Sequence, residues 1–252
     1  MMDLLSSLLP GGFEPLFAII LLVASFFTSA LTAALGLGGG IALITIMASV
    51  MPTAALVPVH GVVQIGSNAG RALVQIRHVD WMIALWFAGG AILGALAGGA
   101  IAIQLPETLL KAGIGLFVLW TVWGKAPRFQ KAARKAMGIA GFVSTFLSMF
   151  FGAAGPIGGA VLSTLGLTRH QFVANQALTA LTMHVFKIFA FGLLGFAFAP
   201  WLPLITGMIA TGFLGTLAGS KVLGRLDEAL FRLGFKFIMT GLALNLIWQA
   251  TT

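Results

Sequence analysis

The residues with most capacity for chemistry form two polar stripes within apolar segments. In "HGVVQIGSNAGRALVQ", His60, Gln64, Ser67, Asn68, Arg71 and Gln75 recur every three or four residues, which gathers them on one helical face. Asn175, Gln176, Thr179, Thr182, His184 and Lys187 make a second stripe in "ANQALTALTMHVFK". A cation deep in a membrane helix costs about 2.5–3.5 kcal/mol on insertion scales, so Arg71 and Lys187 need partners. All six acidic residues, Asp3, Glu14, Asp80, Glu107, Asp227 and Glu228, lie at or near segment ends. A permanent internal ion pair is therefore disfavoured, and a small anionic substrate is the natural transient partner. Structural alternatives stand beside this reading: Arg71 could snorkel to the surface, and helix carbonyls or water could solvate Lys187. His60 and His184 are candidate proton carriers because an unperturbed imidazole titrates near physiological pH, although a helical histidine can equally be a hydrogen-bonded structural residue.

Two glycine-rich interruptions come just before these stripes. "GLGGGIALITIMASV" places Gly36, Gly38, Gly39 and Gly40 ahead of a short apolar run that Pro52 ends, and "GAAGPIGG" places Gly152 and Gly155 ahead of Pro156. A helix that starts at such a break presents unpaired N–H groups and the positive end of its dipole, a natural place for an anion. Close helix packing through small residues is the rival explanation. Neither run is a phosphate-binding loop, since no Gly-Lys-Ser/Thr follows and no strand precedes.

These breaks and stripes belong to a chain of 252 residues, 59% hydrophobic and only 8% charged, with a mean hydropathy of +1.06. That composition is expected of an all-α integral membrane protein. The apolar stretches 15–35, 54–70, 81–103, 108–123, 136–151, 171–199, 201–220 and 228–248 mostly approach the ~20 residues of a spanning helix. None alternates with period two, so a barrel is disfavoured. No Lys or Arg precedes the first segment, which is read as staying in the membrane rather than as a cleaved signal. The formal charge of +8 is not gathered on a nucleic-acid-binding surface, so no nucleic-acid partner is expected. With no cysteine, no HExxH, no paired internal carboxylates and no Ser-His nucleophile motif, neither an enzyme nor a metal or cofactor is expected.

An internal repeat orders the segments. At a shift of 116 residues, Thr28, Ser29, Thr32, Gly36 and Gly39 fall on Ser144, Thr145, Ser148, Gly152 and Gly155. The same shift lays His60 on Gln176, Asn68 on His184 and Arg71 on Lys187, and "LGALAGG" aligns with "LGTLAGS" at a shift of 121. Residues 1–124 and 136–252 then form two repeats of five segments joined by the basic linker 125–135, eight to ten helices in all. The second segment of each, 39–50 or 155–167, is short and crosses or re-enters. An odd number of segments inverts one repeat relative to the other. With the linker in the cytoplasm, ten of the fourteen Lys and Arg residues fall on that side, namely Arg77, Lys125, Arg128, Lys131, Arg134, Lys135, Arg169, Lys221, Arg225 and Arg232. Both termini are then periplasmic or exterior. Lys111 is the exterior exception, Lys236 is expected to snorkel, His78 and His170 are interfacial, and "GGAILGALAGG" could support a homodimer.

The break "GLGGGIALITIM" behind a Ser/Thr-bearing helix, its degenerate copy "GAAGPIGGAVLSTLG" and the segments "HGVVQIGSNAG" and "ANQALTALTMHVFK" resemble the TauE/SafE family, the 4-toluene sulfonate uptake permeases, over essentially the whole chain. This resemblance implies a bacterial inner-membrane carrier of sulfonates, sulfite or related anions. The expected mechanism is alternating access at a midplane site between the inverted repeats. Gly36, Gly38, Gly39, Gly40, Gly152, Gly155, His60, Asn68, Arg71, Asn175, Gln176, His184 and Lys187 are the residues expected around that site. An anion channel using the same electropositive path is the competing expectation.

Overall fold

The computed structural model of the protein describes residues 9–35, 38–102, 104–124, 133–222 and 228–251. Among them the regular elements are all helical. Five helices precede the linker: α1 (Pro15–Leu35), α2 (Gly39–Val50), α3 (Thr53–Val74), α4 (Trp81–Ala102) and α5 (Glu107–Trp123). Five follow it: α6 (Ala136–Phe151), α7 (Gly155–Leu162), α8 (Arg169–Leu193), α9 (Leu202–Val222) and α10 (Glu228–Gln249). The regions Pro15–Ala33, Trp81–Ala102, Arg169–Leu193 and Ala199–Gly219 are long and apolar enough to cross a membrane.

Local chemistry explains where the elements stop. Pro52 caps α3 and Pro106 caps α5, where a missing N–H costs nothing. Asp80 receives the first-turn amides of Met82 and Ile83 and pairs with Arg134. Thr168 and Gln171 form a reciprocal capping box at the start of α8. The short α7 ends at Leu162, earlier than the apolar run to 167 suggests. There the hydroxyls of Ser163 and Thr164 donate to the carbonyls of Ala160 and Val161, and Gly166 has a φ of +68°.

The surface carries large apolar side chains, and a set of polar side chains is buried within a mostly apolar core. Leu85, Phe189, Phe213 and Ile238 are among the exposed side chains, whereas Ser25, Thr45, His60, Ser144, Asn175 and Lys187 are fully buried. Of all helix pairs, α4 with α6 and α1 with α9 pack most extensively, followed by α3 with α8 and α5 with α10. Small residues permit the closest approaches. A Cβ on Gly90 of α4 would collide with the Gly138 carbonyl of α6, and one on Gly215 of α9 with the Phe26 carbonyl of α1. Ser25 adds a 2.6 Å hydrogen bond from its hydroxyl to the Met208 carbonyl across the α1–α9 seam.

Adjacent glycines on α4 test this packing. Gly89 has open space where its Cβ would be, whereas Gly90 has backbone. Gly90→Ala is expected to cost at least about 1–3 kcal/mol through overpacking. Gly89→Ala is expected to be neutral or stabilising by up to ~1 kcal/mol through helix propensity. Melting temperatures of the two purified variants check the contrast.

Candidate functional site

Two helix ends meet at a cavity of about 70 Å3. The first is the start of α2, whose N-cap Gly38 has φ +102° and offers no side-chain cap to the amides behind it. The second is the turn between α6 and α7, where Gly152 has φ +73° and α7 likewise starts without a side-chain cap. Positive φ suits glycine, which has no Cβ to clash. The first-turn amides of Gly39, Gly40 and Ile41 thus end the dipole of α2 without a side-chain acceptor. Pro156 removes one donor from the first turn of α7, so the two ends differ in donor strength.

Both breaks contribute to the cavity wall, through Gly38, Gly40 and Ile41 on one side and Ala153, Gly155 and Pro156 on the other. Helix α3 adds Gln64, Asn68 and Arg71, and α8 adds Gln176, Ala180, Met183 and His184, with Thr32 completing the wall from α1. Among the described residues, the Arg71 guanidinium is the one charged group in this lining. Its Nη2 donates to Asn68 Oδ1 at 2.6 Å, while its Nε is buried without a hydrogen-bond partner. His184 is 4% exposed, and its Nδ1 also has no partner. Gln176 Oε1, an acceptor in the same lining, is also buried without a partner. Buried polar groups are ordinarily satisfied, so these unpaired atoms and the uncapped amides mark a place prepared for a polar guest.

The structure brings Gly38, Gly40, Gly155, Asn68, Arg71, Gln176 and His184 to this cavity. Other residues expected at the site stand just behind it. His60 donates from Nε2 to the Gly40 carbonyl at 3.0 Å, and its ring lies 5.8 Å from that of His184 in an edge contact. Gln176, its repeat counterpart, donates to the Gly155 carbonyl at 3.4 Å. Gly39 packs against the Thr28 carbonyl and the Thr32 hydroxyl. Lys187 is fully buried and donates from Nζ to the Gly152 carbonyl at 2.8 Å and the Ser148 hydroxyl at 3.2 Å. It sits at the negative end of α6, which accounts for a buried cation with no carboxylate beside it.

Asn175 lies away from the cavity. Its Oδ1 accepts from the Asp80 amide at 3.2 Å and its Nδ2 donates to the Gln171 carbonyl at 2.8 Å, tying α8 to the start of α4. Gly36 is outside the described residues. Gln64, Ala153, Pro156 and Ala180 join the lining although they were not among the expected site residues. Gln64 belongs to the first polar stripe, Ala153 and Pro156 stand within the second break, and Ala180 is the 116-residue counterpart of Gln64. Met183 carries no sequence signal of its role. Of the cations outside the site, Lys111 pairs with Glu107 at 2.8 Å, and Lys236 sits 5.0 Å over the Trp123 ring. His78 and His170 stack at 5.2 Å.

The two glycines of the second break have separable roles. A side chain at Gly152 meets both a left-handed backbone and Ile44 2.6 Å from its Cβ. Gly152→Ala is expected to lose about 1–3 kcal/mol of stability. At Gly155 the nearest atom to an added Cβ is Gln176 Nε2 at 3.8 Å, so Gly155→Ala should fold normally and only narrow the cavity. Thermal unfolding in detergent distinguishes the two.

The model of the sulfite exporter TauE/SafE family matches residues 20–246. No curated protein and no solved structure matches the chain. A match over nearly the full length agrees with the apolar helices and the buried polar interior: the chain belongs to the TauE/SafE sulfite exporter family and is a multi-pass membrane transporter of that type.

Proposed function

We propose that this protein is a secondary transporter of small anions, sulfite or sulfonates, that binds its cargo where the α2 and α7 helix ends meet. The observation carrying this reading is the cavity lined by both breaks, in which Arg71 is the only charged group among the described residues and His184 shares the wall. Uncapped amides, helix dipoles and a guanidinium would together offset the desolvation of an oxyanion. Arg71 supplies the direct charge contact. Lys187, held on the Gly152 carbonyl, supports the break from behind and contributes positive potential.

Size refines the cargo. An apolar cavity of ~150 Å3 accommodates benzene, about twice the volume found here. In this conformation the site suits a compact oxyanion such as sulfite, or the head of a sulfonate, better than an entire aryl sulfonate.

Alternating access follows from two inverted five-helix repeats, residues 1–124 and 136–252, that rock about this site. The packing supports such a two-fold relation. The first helix of each half packs on the fourth helix of the other, third packs on third, and fifth on fifth. Repeat-related positions also share the cavity wall: Gly40 with Pro156, Gln64 with Ala180, and Asn68 with His184. The basic linker lies in the cytoplasm and both termini outside a bacterial inner membrane, as the distribution of Lys and Arg indicates. Proton coupling is assigned to His184 at the wall, with His60 as its buried neighbour.

Binding calorimetry and thermal-shift measurements on purified protein test the site. Sulfite should stabilise the wild type saturably. Arg71→Gln should weaken its binding at least about ten-fold, the loss expected for a charge-assisted contact worth 1.5–3 kcal/mol. No saturable response to any sulfite, sulfonate or carboxylate would refute the anion site. In proteoliposomes, His184→Gln should lose the pH dependence of uptake but retain exchange, and unitary currents would favour an anion channel instead.

The cysteine-free chain permits a direct topology test. A membrane-impermeant maleimide should label Ala197→Cys in intact cells, but Ala133→Cys only after permeabilisation. The reverse pattern would invert the assigned orientation.

A further inference from the structure

A second, larger cavity, of about 580 Å3, lies between α1, α3 and α9. It extends along α3 from Val63 to Gln75, twelve residues or ~18 Å of helix. That is close to the ~15 Å depth of one bilayer leaflet. Its walls are predominantly apolar. Val74, Phe213 and Val173 line it and are themselves exposed by 77%, 63% and 37%. Large apolar side chains exposed on a membrane protein face hydrocarbon, so the cavity opens sideways to lipid rather than to water.

Its charge distribution is as specific as its length. Among the described residues, Arg71 is the one charged group in its lining. It stands four residues, or ~6 Å, short of Gln75 at the slot's shallow end, a distance its long side chain can span toward the headgroups. Among the described residues no carboxylate lines either cavity, and the Arg71 Nε is buried without a hydrogen-bond partner. A slot of leaflet length with one cation at its shallow end matches an acyl chain attached to a negatively charged head.

The geometry points to an intramembrane lipid site: an anionic phospholipid of the leaflet at the α3 C-terminal end inserts one acyl chain between α1, α3 and α9 and places its phosphate on Arg71. Because Arg71 also borders the smaller cavity, phosphate and cargo share one guanidinium, and a bound lipid lowers the positive potential that the cargo meets. The volume supports a chain-like guest, being about four times that of a cavity that holds benzene. The proposal stands on its own whatever the cargo, since it requires only this slot and its cation.

Native mass spectrometry of the full chain, purified in detergent and titrated with phosphatidylglycerol or phosphatidylcholine of equal chain length, tests the inference. The wild type should retain phosphatidylglycerol roughly five-fold better, the factor expected for one basic residue near an anionic headgroup. Arg71→Gln should abolish that preference and Arg71→Lys should keep most of it. Gly70 lines the slot and has nothing within 4 Å of an added Cβ. Gly70→Trp should therefore remain monodisperse while losing retention of both lipids. Equal retention of the two lipids by the wild type, or undiminished retention by Gly70→Trp, would overturn the site. Retention of a long-chain alkyl sulfonate with neither phospholipid would also overturn it and give the slot to cargo.

Discussion

Inside a bilayer every backbone N–H and C=O must find a partner within the protein, and this requirement governs the rest of the structure. A continuous helix meets it alone. Two interrupted helices do not, so each break has to be enclosed by side chains able to replace the missing bonds. At the second break Lys187 does this, donating to the Gly152 carbonyl at the end of α6, while His60 and Gln176 tie the first-turn carbonyls of Gly40 and Gly155 to α3 and α8. The polar stripes of α3 and α8 are placed by this need. With these carbonyls engaged, the first-turn amides of α2 and the Nε of Arg71 remain for a guest.

The polar side chains that serve the breaks are accordingly buried among apolar ones rather than turned to lipid. Lipid offers no hydrophobic drive for helix association, so contact depends on close packing and interhelical hydrogen bonds. Glycines on α4 and α9 bring backbones together where a single methyl would collide. The resulting seams, α4 with α6 and α1 with α9, join the two halves of the chain and fix the breaks against one another.

Much of this was legible in the sequence because membrane helices announce themselves by apolar length. The starts of α2 at Gly39 and α7 at Gly155 fall where the glycine runs place them, and α1 and α6 keep their expected limits. The end of α7 was less visible, since Ser163, Thr164 and Gly166 act through local hydrogen bonds and a left-handed turn that hydropathy does not register. The spacing of the stripes brought Asn68, Arg71, Gln176 and His184 to notice, and these line the cavity. Spacing cannot tell a residue aimed at the cavity from one aimed at a neighbouring carbonyl. Lys187 turns to the α6 terminus and Asn175 to Asp80 because of helices distant in sequence. Repeat alignment pairs Arg71 with Lys187, but their surroundings differ: one donor remains free and the other is capped.

The central claim is that the two broken helices share one oxyanion site. Crystals of the protein soaked with selenite, the heavier analogue of sulfite, would locate the anion directly by anomalous scattering. A peak is expected between the start of α2 and the α6–α7 turn, within hydrogen-bond reach of Arg71. A selenium peak confined to the surface or to another cavity would contradict that claim.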